Sequence, residues 1–240
     1  MNRVRGGFNQ YGFTVGILML DTRFPRIHGD AGNPSTWPFP VRIAVVGGAS
    51  PERVVRDDAE GLIDAFVDAG LQLVAQGVDA ITTTCGFLVL HQRLMAQRLT
   101  VPFASSSLLQ IPSIAALLPP GRRVGIVSVD SSSLTHRHLE AIGIDPSTPI
   151  AGTEGGSELT RVMLGNQTRL EPAAAQRDVV SAAHSLVQQH PDVGAIVLEC
   201  ANMPPYASAL ARALKLPVYD WYSMVCWFAQ GLRPRAFFSA

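Results

Sequence analysis

The 240-residue chain carries 19 basic residues (Lys and Arg) and 19 acidic residues (Asp and Glu), so its formal net charge at pH 7 is zero with neutral histidines. A chain without net charge creates no global field that recruits nucleic acid or an anionic membrane, and nucleic-acid binding is not expected. The sequence has no secretory pattern and no run of 18 or more apolar residues, so we expect no membrane partner and a cytoplasmic location.

The chain contains three cysteines, Cys85, Cys200 and Cys226. Their odd number and wide spacing are typical of a protein from a reducing compartment. The sequence contains no CxxC pair, which is the pattern that would indicate a structural zinc site, so we predict no metal site. The thiols are therefore either buried or catalytic. Cys226 lies in the aromatic segment 221–228, where packing is the expected role.

Short apolar or β-branched segments alternate with helical patterns along most of the chain. Residues 1–12, with Gly6, Gly7 and Gly12, are interpreted as a flexible leader. Strands separated by helices indicate crossover connections and parallel sheets. The predicted strands are 13–20, 41–46, 79–84 and 101–104 in the first half, and 123–129, 148–152, 194–199 and 217–219 in the second.

Two segments have apolar residues at helical spacing, and one segment has no periodicity. The spacing predicts amphipathic helices over 50–76 and 176–189, each preceding a strand that ends in a cysteine. Segment 21–40 contains four prolines and two glycines. Loops of this length inside a compact domain are often functional, and Phe24, Trp37 and Phe39 indicate a packed lid.

The two halves of the chain repeat one another in register. Segment 15–17 (Val-Gly-Ile) recurs 109 residues later at 124–126, and Ala80-Ile81 with Cys85 recurs 115 residues later at Ala195-Ile196 with Cys200. The second offset also carries 101–103 onto 216–218. Internal similarity of this kind indicates a duplicated α/β unit.

The repeat predicts an α/β fold with two pseudo-symmetric lobes, each a short parallel sheet flanked by helices. The segment 117–123 contains two prolines and a glycine, which end a helix just before a new strand. We therefore predict a first lobe of residues 13–118 plus a C-terminal crossover of 220–240, and a second lobe of 119–219.

Cys85 and Cys200 each follow a predicted strand. In parallel α/β sheets, ligands bind beyond the carboxyl ends of the strands, where helix N-termini also point. A helix N-terminus stabilises both a thiolate and a substrate carboxylate. One thiolate can then remove an α-proton from one face of a carbon while the other thiol protonates the opposite face, which inverts the stereochemistry without a cofactor.

These residues resemble the aspartate/glutamate racemase superfamily of cofactor-independent enzymes, which includes hydantoin racemases, maleate isomerases and arylmalonate decarboxylases. The resemblance covers most of residues 13–230. The segments on which the resemblance rests are Asp21-Thr22, 82–86 (Thr-Thr-Thr-Cys-Gly) and 198–203 (Leu-Glu-Cys-Ala-Asn-Met). It implies two similar lobes with an active site in the cleft between them and no cofactor.

The resemblance also implies roles for individual residues. Cys85 and Cys200 would be the acid/base pair, and Thr84, Gly86 and Ala201 would hold a substrate carboxylate. Asp21 would tune a thiol or orient a ligand amine, and Asn202 would hydrogen-bond nearby. The serines after the fifth strand are equally suited to binding a carboxylate or capping a helix. The complete set of predicted substrate-binding residues is Asp21, Thr22, Thr83, Thr84, Gly86, Ser131, Ala201 and Asn202.

The expected function is racemisation or epimerisation of a small carboxylate or amide, with an amino acid or an amino-acid derivative as the first candidate. The residues after each cysteine differ from those of the amino-acid racemases and are closer to hydantoin racemases at Cys200. A maleate-type isomerase or a decarboxylase is the alternative enzyme, although arylmalonate decarboxylases keep only the second cysteine. A non-catalytic binding protein is the third possibility. The apolar tail at 236–238 is compatible with a homodimer.

Overall fold

The structure is a computed structural model that describes residues 12–235 and contains two four-stranded parallel sheets. The predicted leader, except for Gly12, and the apolar tail at 236–238 lie outside the described residues. The predicted α/β fold class is confirmed.

All eight predicted strands are present, with ends that shift by at most two residues. Most are rich in valine, isoleucine and leucine, as expected for strands buried on both faces of a parallel sheet. The strands are β1 (Val15–Leu20), β2 (Val41–Val46), β3 (Ala80–Thr83), β4 (Phe103–Ala104), β5 (Arg123–Ser128), β6 (Ile150–Gly152), β7 (Val193–Leu198) and β8 (Val218–Tyr219).

The two sheets have the same topology. Their strand orders are β2-β1-β3-β4 and β6-β5-β7-β8. Val15 pairs with Ala80 in the first sheet, and the repeat partners Val124 and Ala195 pair in the second. The sequence repeat is therefore a structural repeat with matching register, and the carboxyl ends of β3 and β7 occupy equivalent places.

Nine α-helices surround the sheets within residues 12–235. Among these residues, none of the helices is both long and apolar enough to cross a bilayer. The helices are α1 (Pro51–Val55), α2 (Ile63–Ala75), α3 (Gln92–Arg98), α4 (Ile111–Leu117), α5 (His136–Glu140), α6 (Leu159–Leu164), α7 (Pro172–Gln189), α8 (Pro204–Leu214) and α9 (Trp221–Leu232).

The single helix predicted over 50–76 is wrong, because this segment forms α1 and α2 with a turn between them. Ser50 caps α1, accepting a hydrogen bond from the backbone N–H of Arg53 at 3.4 Å. Asp58 and Ala59 then adopt φ of 50° and 55°, a left-handed conformation that no α-helix can contain. The apolar spacing continues across the turn because both helices contribute side chains to one buried apolar cluster.

Helix α9 packs against the first sheet. Its Asp220 cap accepts a hydrogen bond from the backbone N–H of Ser223 at 2.8 Å, and the Ser223 hydroxyl accepts one from the Asp220 N–H in return. The buried face of α9, including Trp221 and Val225, shares an apolar cluster with Val15 and Ile17 of β1. The C-terminal segment thus contacts the N-terminal sheet, although the proposed division into domains stays a prediction.

The loop 21–40 contacts the second lobe. The backbone N–H of Ala31 donates to the carbonyl of Ala201 at 3.0 Å, and the Asn202 side-chain amide donates to the Asp30 carboxylate. Asp30 is almost fully buried and is paired with Arg26 at 2.8 Å. The loop is therefore packed across the lobes, next to Cys200.

We expect Asp30→Ala to lower the free energy of unfolding by roughly 3 kcal/mol, because it leaves the largely buried Arg26 cation and the Asn202 amide without their carboxylate partner. Urea denaturation measures the loss, and limited proteolysis should cleave within 21–40. Asp64→Ala is the matched control, since its pair with Arg98 is exposed and should change stability by less than about 1 kcal/mol. Equal stability of the two variants would contradict a docking role for Asp30.

Candidate active site

Cys85 and Cys200 line one cleft between the two sheets. Each lies two residues beyond the end of its strand, Cys85 after β3 and Cys200 after β7. The cleft is small, with a cavity volume of about 30 Å³, and both cysteines are more than 90% buried. Its walls are largely apolar, with contributions from Leu20, Phe24, Phe87, Val129 and Met163.

The end of β3 fixes the position of Cys85. The Thr83 hydroxyl donates to the Ser105 carbonyl at 2.8 Å and accepts the backbone N–H of Cys85 at 3.2 Å. A 3₁₀ helix, Gly86–His91, begins immediately after Cys85, and the backbone N–H groups of Phe87 and Leu88 lower the pKa of its thiol. The helix N-terminus that the sequence analysis expected after Cys85 is therefore present, and it belongs to a 3₁₀ helix.

Hydrogen bonds to the 21–40 loop fix the position of Cys200. Its thiol donates to the Asn202 side-chain oxygen at 3.4 Å, and the Asn202 amide is held in turn by the Asp30 carboxylate. Helix α8 begins only at Pro204, so Cys200 is followed by a turn. A continuous chain of contacts thus runs from Arg26 through Asp30 and Asn202 to the Cys200 thiol.

Both thiols are neutral in the closed cleft. Burial raises the pKa of the Cys85 thiol far above its ordinary value, and the nearby Glu199 carboxyl group raises that pKa further. The Arg26 guanidinium lowers it in part. Burial and Glu199 also raise the pKa of Cys200, and Asp30 adds to this effect. Cys85 consequently has the surroundings that better tolerate a thiolate.

Glu199 is a buried acidic residue in the cleft wall. Its carboxylate accepts the Ser128 hydroxyl at 2.9 Å, and its residue is only 1% exposed. Burial raises the pKa of the Glu199 carboxyl to about 7, and Asp130 also raises it. The Ser128 hydroxyl and the backbone N–H of Gly86 lower this pKa. Glu199 therefore changes its charge near neutral pH, beside both thiols.

A comparison with known families identifies the chain at this point. The sequence profile described as Asp/Glu/Hydantoin racemase matches residues 109–229, which is half of the chain and includes Cys200. The chain belongs to the Asp/Glu/hydantoin racemase family. The resemblance derived from the two cysteine segments is confirmed.

The curated relatives carry a different activity in their names. A dimethylsulfoniopropionate lyase from Durusdinium sp. clade D is 27% identical over 231 residues, covering 91% of this chain and 74% of the relative. Dimethylsulfoniopropionate lyase 6 from Emiliania huxleyi (strain CCMP1516) is 29% identical over 224 residues, covering 89% of this chain and 57% of the relative. This racemase-family chain thus spans between about half and three quarters of these relatives.

Solved structures share the fold of this family member. An allantoin racemase from Klebsiella pneumoniae aligns with a TM-score of 0.65 and 18% identity, covering 92% of this chain and 87% of that one. Arylmalonate decarboxylase aligns with a TM-score of 0.60 and 16% identity, covering 93% and 94%. The comparisons support an enzyme, and racemase activity itself stays a prediction.

Five of the predicted site residues line the cleft of this family member: Thr84, Cys85, Gly86, Cys200 and Asn202. The Thr84 hydroxyl oxygen accepts the backbone N–H of Leu20 at 3.2 Å. Within residues 12–235 the hydroxyl donates no hydrogen bond, so its proton is available to a ligand. Thr84 can therefore donate a hydrogen bond into the cleft, and its role in binding a substrate carboxylate stays a prediction.

The other predicted binding residues do not line the cleft, and their role in substrate binding stays a prediction. Ser131 hydrogen-bonds the exposed Glu154, and Asp21 is exposed and accepts the backbone N–H of Gly48 at 3.4 Å. Thr22 accepts a hydrogen bond from Arg26 at 3.0 Å. Thr83 and Ala201 instead hold Cys85 and the loop 21–40 through the contacts described above. Cys226 also lies outside this cleft.

Sequence reasoning missed Glu199 and Asp30. Glu199 had a visible signal, because it is an acidic residue within the otherwise apolar run 193–201. Asp30 had none, since it lies in an aperiodic loop and is linked to the Cys200 thiol only through Asn202. Within residues 12–235, no three His, Cys, Asp or Glu side chains form a group that could hold a metal ion.

We expect Gly86→Ala to destabilise the protein by about 1–3 kcal/mol, because the new Cβ would lie 2.6 Å from the Glu199 carbonyl oxygen and would also overlap the Glu199 carboxyl group. Thermal unfolding measures this loss. Gly155→Ala is the matched control, since a Cβ there meets no atom within 4 Å and the backbone is not left-handed. If both variants unfold at the same temperature, the close approach of Glu199 to Gly86 is wrong.

Proposed function

We propose that this chain is a lyase that eliminates a dialkyl sulfide from a sulfonium carboxylate, with dimethylsulfoniopropionate as the first substrate to test. The names of the curated relatives support this substrate class. The observation that carries the proposal is the electrostatic state of the cleft, in which two neutral, buried thiols lie beside an acidic side chain.

A cation bound in the cleft would favour ionisation of these thiols more than Arg26 does, because Arg26 only partly offsets the effect of burial on Cys85. A positive charge within about 4–6 Å of an acidic group lowers its pKa and offsets the cost of burial. The sulfonium group of the substrate would supply that charge, whereas a substrate with net negative charge would raise the thiol pKa values further. The Phe87 ring in the cleft wall can attract the same cation, whereas the Phe24 ring already has the Arg26 guanidinium over it, 4.8 Å from the ring centroid.

The chemistry begins with removal of an α-proton. The Thr84 hydroxyl binds the substrate carboxylate, and a cysteine thiolate takes the proton from the adjacent carbon. The electron pair of that C–H bond forms the C=C bond while the Cβ–S bond breaks, and its electrons leave with the neutral sulfide. The products from dimethylsulfoniopropionate are acrylate and dimethyl sulfide.

Cys85 is the better candidate for the base. The N–H groups of Phe87 and Leu88 and the charge of Arg26 all favour its thiolate. The thiol of Cys200 is instead held by Asn202 and has Asp30 nearby, which favours the neutral form. Elimination needs one base, so Cys200 contributes mainly by closing the cleft and by hydrogen bonding.

Racemisation or epimerisation is the second candidate function. It is favoured by the equivalent positions of the two thiols at the ends of β3 and β7, since inversion needs one proton carrier on each face of the substrate carbon. Both functions share the first step and differ in whether a leaving group is present on the next carbon.

We expect the purified protein to release dimethyl sulfide from dimethylsulfoniopropionate, measured by gas chromatography of the headspace. Cys85→Ala should lower kcat by at least about 100-fold, whereas Cys200→Ala should stay within about tenfold of the wild type. Cys226→Ala is the control, because this thiol is outside the cleft and its loss should leave kcat unchanged.

Proton NMR in deuterium oxide, with amino acids and hydantoins as parallel substrates, separates the two candidate functions. Exchange of the α-proton with inversion, lost in both Cys85→Ala and Cys200→Ala, would establish the racemase. The absence of dimethyl sulfide under these conditions would contradict the lyase proposal.

A further inference from the structure

Elimination leaves a proton behind in the cleft. A racemase returns to the substrate every proton that it removes, whereas a lyase that converts a neutral zwitterion into an anionic alkene carboxylate and a neutral sulfide releases one proton per turnover. The base here is a buried thiol that is neutral at rest. A group beside that thiol must therefore accept its proton before each turnover and release one afterwards.

We propose that the Glu199 carboxylate is this group and acts as a proton relay for Cys85. The inference rests on the proposed elimination and assigns a role to a residue outside the predicted cysteine pair. Glu199 lies in the cleft wall with both cysteines, so its carboxylate can exchange a proton with a thiol and with water that enters after product release.

The fold places this carboxyl group against Cys85 and its neighbour. Glu199 follows β7 in the second lobe, yet a Cβ built on Gly86 of the first lobe would overlap its carboxyl group. Only glycine leaves room for this approach. The Ser128 hydroxyl, at the end of β5, donates to the other carboxyl oxygen at 2.9 Å and fixes its orientation.

The other acidic groups near the cleft are held by several partners. Asp30 pairs with Arg26 at 2.8 Å and also accepts N–H groups. Partial burial raises the pKa of Asp130, but hydrogen bonds from Ser132 and Ser133 outweigh this effect and lower it. Within residues 12–235, no Arg, Lys or His forms an ion pair with Glu199. Glu199 is thus an acidic group that lines the cleft without a cationic partner among these residues.

The relay balances in three steps. With substrate bound, the S–H bond of Cys85 breaks and its proton forms an O–H bond on Glu199, which leaves a thiolate beside the sulfonium cation. The thiolate then removes the α-proton, the C=C bond forms, and the sulfide leaves with the Cβ–S electron pair. Finally the Glu199 O–H proton passes to water, and the thiol and the carboxylate are restored.

The relay has a defined pH dependence. Glu199 must be ionised to accept the thiol proton, so kcat/KM should fall as the pH drops through the Glu199 pKa of about 7. The charged or titratable groups that face this site are Cys85, Cys200, Asp130 on the loop after β5, and Arg26 on the loop 21–40. The thiols stay neutral at these pH values.

The test compares Glu199→Gln, Glu199→Asp and Ser128→Ala in the full chain with dimethylsulfoniopropionate as substrate. Glu199→Gln should lower kcat by about 100-fold or more, keep KM within about threefold and lose the acidic limb of the pH profile. Glu199→Asp should recover part of kcat and regain the limb. Ser128→Ala removes a hydrogen bond that lowers the Glu199 pKa, so the acidic limb of this variant's pH profile should move to higher pH.

A second measurement needs no substrate. Glu199→Gln removes the negative charge beside Cys85, so iodoacetamide should alkylate Cys85 several-fold faster at pH 8 than in the wild type, as read by peptide mass spectrometry. Circular dichroism and thermal melting report whether each variant is folded.

The outcomes separate the relay from the lyase activity. Dimethyl sulfide release by the wild type together with near-normal kcat in Glu199→Gln would overturn the relay and leave the lyase intact. An unchanged acidic limb in Ser128→Ala and in Glu199→Gln, or an unchanged alkylation rate, would also overturn it. No sulfide from the wild type would instead contradict the elimination on which the relay rests.

Discussion

The contact between the Glu199 carboxyl group of one lobe and the Cys85-Gly86 peptide of the other is the constraint on which the cleft depends. It requires glycine at position 86, a buried carboxyl group and a polar strand end at Ser128. Each of these requirements would be unfavourable by itself, since an isolated buried charge is costly. Together they hold the two thiols and the carboxyl group around one small space.

The closed cleft keeps its reactive groups neutral. Water is largely excluded, so the desolvation that raises both thiol pKa values also protects the thiols from modification before substrate arrives. In the proposed elimination, a bound sulfonium cation would reverse this balance locally, because its positive charge would replace the lost solvation. The charge of such a substrate would then switch the base on as well as orient the substrate.

The elements and the cysteine pair could be predicted from the sequence because their signals are local or repeated. The strands are short runs of β-branched and aliphatic residues, and the matching offsets of Cys85 and Cys200 are visible without a structure. The break between α1 and α2 was missed because apolar spacing continues through it. The contact of Asp30 with Asn202 joins residues 172 positions apart, and no local pattern encodes it.

The proposed elimination differs from racemisation in the fate of a single proton. Both chemistries begin with an acidified carbon and a thiolate, and both benefit from a dry cleft. A second thiol suffices when the proton returns to the substrate. When a sulfide leaves instead, the second thiol has no carbanion to protonate, and an acid with a pKa near neutrality becomes useful. In this chain burial and the nearby Glu199 and Asp30 raise the pKa of the Cys200 thiol, while Glu199 lies beside Cys85 with a pKa of about 7. A shift from racemisation to elimination therefore requires no new fold and no loss of either cysteine.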